Sequence, residues 1–160
     1  MPVHARVATD PIHPVLVEFP IVLYAATAAA VIGHALGGDV AWYRAALYTS
    51  AASIAMSIVA VVPSVVDLVA LVATPRWRSL GRRHALCNVT SLVAFSAAFA
   101  TLYSNYARVH ELGDTTPLLL SLVGLGAAVA AAWLGWTMLA LLGIQAPSHE
   151  LVRRLPLPRR

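Results

Sequence analysis

At 160 residues, with 59% hydrophobic and only 11% charged side chains, the chain is too apolar for an ordinary soluble domain and too long for one or two membrane spans. Its formal net charge of +4 comes without a folded basic domain that could present a groove-reading element, which argues against a nucleic-acid partner. The single Cys87 excludes an intrachain disulfide, and no Cys/His cluster has zinc-finger or iron–sulfur spacing.

The stretch 1–14 is weakly basic and reads as a cytoplasmic N-terminal segment. The apolar run that follows is too long for a signal peptide and stays as a span. Four such runs are expected to cross the bilayer, Val15–Leu36, Ala45–Ala73, His84–Tyr106 and Pro117–Gly143, each as long as the hydrocarbon core at 1.5 Å per residue. Short connections make sequential helices antiparallel neighbours. The predicted fold is therefore an all-α membrane protein, a four-helix antiparallel transmembrane bundle over 15–143, with a basic cytoplasmic tail over 144–160.

Orientation follows from the arginines. Arg6, Arg76, Arg78, Arg82, Arg83, Arg153, Arg154, Arg159 and Arg160 lie in the tails and around the central connection, whereas only Arg44 and Arg108 flank the other side. The positive-inside rule places both termini and the central loop in the cytoplasm. Trp42, Tyr43 and Trp77 suit the two interfaces, and the basic tail suits anionic headgroups.

Within the spans, small residues recur every fourth position. Ala25, Ala29, Gly33 and Gly37 do so in the first run, and Gly124, Ala128 and Ala132 in the fourth; such ladders let helix backbones approach. The second run carries a stripe of Ser53, Ser57, Ala60, Ser64 and Asp67, and the third carries His84, Asn88, Ser91 and Phe95, both at helical spacing. Both stripes are expected to face the bundle interior.

Apart from His34, the acidic and histidine side chains inside the apolar runs all fall near one end: Glu18, Asp67 and His84, with His13 just outside. Pro20 removes a backbone donor and leaves the carbonyl of Leu16 free near Glu18. Charges in a span are costly and mark functional positions. His13, Glu18, Asp67 and His84 are thus expected to form one cytoplasm-side cluster, with Asn88, Ser64 and Ser91 in support. His4, His34, His110 and His149 read as solvated or interfacial side chains, and Cys87 as a packed thiol.

The run Ile12-His13-Pro14-Val15-Leu16-Val17-Glu18-Phe19-Pro20 resembles the opening of a bacterial membrane-protein family known as domain of unknown function 2231, which starts HP-x-x-x-HFP. The likeness continues through Asp67, through Arg83-His84-Ala85-Leu86-Cys87-Asn88 and through Trp133-Leu134-Gly135. It implies a multi-pass protein of the bacterial inner membrane and carries over His13, Asp67, His84 and Asn88. Two of the family's histidines are missing, because their places hold Glu18 and Leu141-Leu142-Gly143.

Three chemistries are open at this stage. Two imidazoles from facing helices, with arginines nearby for propionates, suit a b-type haem. The same imidazoles with Asp67 or Glu18 suit a single transition metal, and either group would serve electron transfer. His13 and Glu18 lie about 140° apart around a continuous helix, so they do not naturally share one coordination sphere. The alternative is a non-catalytic scaffold or assembly subunit, a partner in a larger membrane complex or a homo-oligomer, in which Asp67 pairs with an arginine and hydrogen-bonds His84. Proton or small-solute transport along the serine stripe is the third; four helices with no charge at mid-bilayer make a poor pathway. No nucleophile elbow, phosphate loop or HExxH motif marks an enzyme.

Overall fold

In the computed structural model the described residues are 12–71, 75–108 and 114–141, with side chains described over 19–60, 78–107 and 114–138. They form four long helices, α1 (Ile12–Gly37), α2 (Val40–Leu71), α3 (Pro75–Ser104) and α4 (Thr116–Leu141), with a 3-10 turn at Tyr106–Arg108. Three stretches of described residues, Phe19–Gly37, Arg78–Ser104 and Thr116–Met138, are long and apolar enough to cross a membrane. At 32 residues α2 is the longest helix, about 48 Å at the standard rise.

Local chemistry sets the helix ends. Gly38 takes the left-handed conformation (φ 66°) that ends α1, and its N–H reaches the His34 carbonyl at 2.7 Å. Asp39 then caps α2, its Oδ1 accepting from the Ala41 N–H at 2.8 Å. The first connection is therefore Gly38 and Asp39 alone, much shorter than the expected 37–44. At the start of α4, Asp114 accepts from the Thr116 N–H at 2.9 Å and from Asn105 Nδ2 at 2.7 Å. The Thr116 side chain first, then its N–H and, less, Asn105 favour the carboxylate and hold the Asp114 pKa below its ordinary value.

The central connection differs from expectation in a way that matters for the site. Residues 75–83, read as loop, are helical, because Pro75 takes the first position, where its missing N–H costs nothing. His84 accordingly lies more than two turns inside α3.

α1 packs most closely on α2 and α3 on α4; α2 with α3 and α1 with α4 complete the ring. The interior is small and hydroxylated: Thr27, Ser50, Ser53, Ser57, Ser91 and Ser121 are buried alongside Ala28, Ala94, Ala98, Ala128 and Ala131. Outward positions carry Val22, Ile58, Leu86, Val93, Leu122 and Val129, each exposed. Buried hydroxyls among small apolar residues, inside an apolar surface, fit a bilayer, where only packing and internal hydrogen bonds join helices.

One layer ties all four helices together. Tyr24 of α1 stacks on Phe95 of α3 across the bundle, with centroids 4.0 Å apart and planes at 12°. The Ser57 hydroxyl of α2 donates to the Ser53 carbonyl at 2.7 Å, so Tyr24 is the donor in its 2.6 Å bond to Ser57. α4 offers Gly124, where a Cβ would stand only 2.7 Å from the Phe95 ring. A second core at the opposite end gathers Ala30, Val31, Tyr43, Ala46, Leu47 and Leu102.

Several expected faces are corrected. Ser53, Ser57, Ser91 and Phe95 do face inward, but Asn88 is exposed and Ser64 lies outside the described side chains. Ala25, Ala29 and Gly37 of the α1 ladder are exposed, and so is Ala132 of α4; Thr27, Ala28 and Val31 pack in their stead. Tyr43 is buried rather than interfacial, and its hydroxyl donates to the Leu102 carbonyl.

Candidate functional site

α3 brings His84 to α4 at the arginine-bearing end of the bundle. Its Nδ1 lies 2.8 Å from the Ala131 carbonyl, a group that can only accept, so Nδ1 carries the proton. In the neutral ring Nε2 is then the basic nitrogen, and it accepts from Asn88 Nδ2 at 2.9 Å. The same Asn88 amide donates to the His84 carbonyl at 3.2 Å, which holds the pair on one helical turn.

Gly135 makes room for the imidazole. A Cβ there would stand 3.2 Å from His84 Cε1 and 3.6 Å from Nδ1, so the ring lies directly against α4 backbone. The arrangement repeats that of Phe95 on Gly124, eleven residues away along both helices. Eleven residues are three turns of helix, about 16 Å.

The other expected site residues are only partly described. His13 and Glu18 fall within α1, and Asp67 within the last two turns of α2, but their side chains lie outside the described residues. Among the described residues no group of three or more His, Cys, Asp or Glu converges on one point. Ser91 sits two turns from His84 on α3, buried, and its hydroxyl has no hydrogen-bond partner; Ser121 is in the same condition.

His84 Nδ1 is held by the Ala131 carbonyl and Nε2 by Asn88, while the orienting or ligating role expected of Asp67 falls on a side chain outside the described residues. Sequence reasoning missed both Ala131 and Gly135. The available signal was spacing, since Gly124 and Gly135 on α4 match Phe95 and His84 on α3. His34, at the opposite end, donates from Nδ1 to the Asp39 carbonyl at 3.0 Å and packs edge-on against Tyr43, a turn-closing role.

The helical apolar architecture and the His84, Asn88 and Gly135 unit agree with the motifs noted in the sequence. A family described as a predicted membrane protein, domain of unknown function 2231, matches residues 9–147. The chain belongs to that family. No curated protein and no solved structure matches it. Within domain of unknown function 2231, this chain's basic-HA-x-x-N motif has a structural meaning: the His and Asn form one bonded pair, and the Trp-Leu-Gly of α4 supplies the glycine beneath the ring.

Proposed function

We propose that this membrane protein holds a one-electron cofactor, a b-type haem or a single transition metal, at its arginine-bearing end, with His84 as one ligand and His13 as the other. The observation that carries the reading is the state of His84. A backbone carbonyl on Nδ1–H fixes the tautomer and leaves Nε2 to bind, the arrangement typical of metal-ligating histidines. Asn88 is exposed, so it can leave Nε2 by a side-chain rotation.

Helical register supports His13 as the partner. It precedes Tyr24 by eleven residues, as His84 precedes Phe95, and α1 and α3 run parallel. Three turns below a stacked pair, two positions on parallel helices fall at the same depth and within about 20° of the same faces. Glu18 falls about 120° round α1 from the Tyr24 face and suits a proton-accepting or tuning role; Asp67, ten residues beyond Ser57, lies about 80° round α2. A haem or metal would supply the electron chemistry, while the chain fixes the ring, excludes water and sets the charge.

We place the chain in a bacterial inner membrane on the family resemblance, and the arginine distribution supports an orientation with this end and both termini cytoplasmic. A second reading, a scaffold or assembly subunit of a larger membrane complex or homo-oligomer, is favoured by one fact: both ring nitrogens of His84 already have partners.

The test is the visible absorption spectrum and metal content of purified wild-type protein and His84→Ala. A Soret band or stoichiometric metal in wild type, lost in the variant with helical circular dichroism intact, supports the cofactor. Wild type with neither, after reconstitution with haemin and divalent metals, puts the scaffold reading first.

A further inference from the structure

Beyond the His84 site, we infer that the outer face of α3 at the arginine-bearing end is a binding surface for an anionic phospholipid. Arg82, Leu86, Val89 and Val93 follow one another at intervals of four, three and four residues and so form a single stripe. The stripe points out of the bundle: Arg82 is exposed, and Leu86, Val89 and Val93 are 59%, 57% and 61% exposed. From Arg82 to Val93 it runs eleven residues, about 16 Å, close to the hydrocarbon depth of one leaflet, half of about 30 Å.

Its two ends have opposite chemistry. Arg82 and the exposed Arg83 stand at the terminus, where a phosphate would lie, and the apolar residues below would meet an acyl chain. Trp133, 73% exposed on neighbouring α4, is at that same depth, two residues from the carbonyl that His84 reaches. No acidic residue occurs in the chain between Asp67 and Glu111, so α3 brings no carboxylate to compete for the guanidinium groups. An anionic headgroup over an apolar track is the partner this charge and length distribution fits.

The chain also has arginines in its C-terminal tail, and diffuse attraction to them is the competing source of lipid selectivity. Native mass spectrometry of the full-length protein, released from micelles with equal phosphatidylglycerol and phosphatidylcholine, separates the two. Wild type is expected to retain phosphatidylglycerol preferentially. One arginine near a charged surface contributes a factor of roughly five, so R82Q/R83Q should lower phosphatidylglycerol affinity by about 20-fold. R82K/R83K should keep most of it, and R159Q/R160Q should change it less than about twofold. No anionic preference in wild type, full retention in R82Q/R83Q, or an equal loss in R159Q/R160Q would each overturn the assignment.

Discussion

Replacing Gly124 with Ala should destabilise the bundle through one contact. The new Cβ would stand 2.7 Å from Cδ2 and Cε2 of Phe95 and 3.2 Å from the Ala94 Cβ. Phe95 is fully buried and its ring is stacked on Tyr24 at 4.0 Å, so the needed shift of ~0.7 Å disturbs that stack and with it the Tyr24 bond to Ser57. Overpacking of this kind costs about 1–3 kcal/mol, and the better helix propensity of Ala offsets up to about 1 kcal/mol, leaving a net loss of roughly 1–2 kcal/mol. Gly126 is the internal control, since a Cβ there meets nothing within 4 Å, and Gly126→Ala should be neutral or slightly stabilising. Reversible unfolding in mixed detergent micelles, followed by far-UV circular dichroism, measures both. The double variant G124A/F95L should recover part of the loss, with a coupling of about 1 kcal/mol. Equal stabilities for G124A and G126A, or strict additivity with F95L, would refute the packing of this layer.

The remaining predictions use the same unfolding assay. Tyr24→Phe removes the hydroxyl bond to Ser57 while Ser57 keeps its own bond to the Ser53 carbonyl, so the loss should be about 1 kcal/mol. Ser121→Ala deletes a buried hydroxyl with no partner and should be neutral or stabilising by up to about 1 kcal/mol; a loss above that would mean the hydroxyl is paired in the folded protein. Gly135→Ala should cost less stability than Gly124→Ala, because its closest contact is 3.2 Å rather than 2.7 Å, yet it should shift His84 and weaken whatever Nε2 binds. The depressed pKa of Asp114 means that its contribution is present above the ordinary carboxylate pKa of about 3.9 and is lost as pH falls through the lower folded value. Asp114→Ala should therefore lower stability slightly at neutral pH and flatten part of the decline below pH ~4; an unchanged acid limb would contradict this.

Much of the fold was legible because periodicity reports which face of a helix is buried. Ser53, Ser57, Ser91 and Phe95 recur at helical spacing and face inward. Periodicity does not report how helices are offset along their axes, and the contacts that define the site depend on that offset. Beyond the equal spacing of His84 and Phe95 on α3 and of Gly135 and Gly124 on α4, nothing in the sequence pairs His84 with Ala131, or Tyr24 with Phe95 and Ser57. Composition misled where two residue types could fill one role: Ala25 and Ala29 look like packing positions but are exposed, and Tyr43 looks interfacial but sends its hydroxyl to Leu102. Asn88 shares a stripe with His84 yet is exposed, because its amide turns back to its own helix to reach Nε2 and the His84 carbonyl.

Nitrogen-15 NMR of the His84 imidazole, assigned by comparison with His84→Ala, tests most directly whether this side chain is a ligand in waiting. The expected ring carries its proton on Nδ1, with an Nε2 whose resonance moves when Zn²⁺ or haemin is added while the Nδ1–H bond to Ala131 persists. A ring protonated on Nε2, or an Nε2 resonance that neither addition moves, would contradict it.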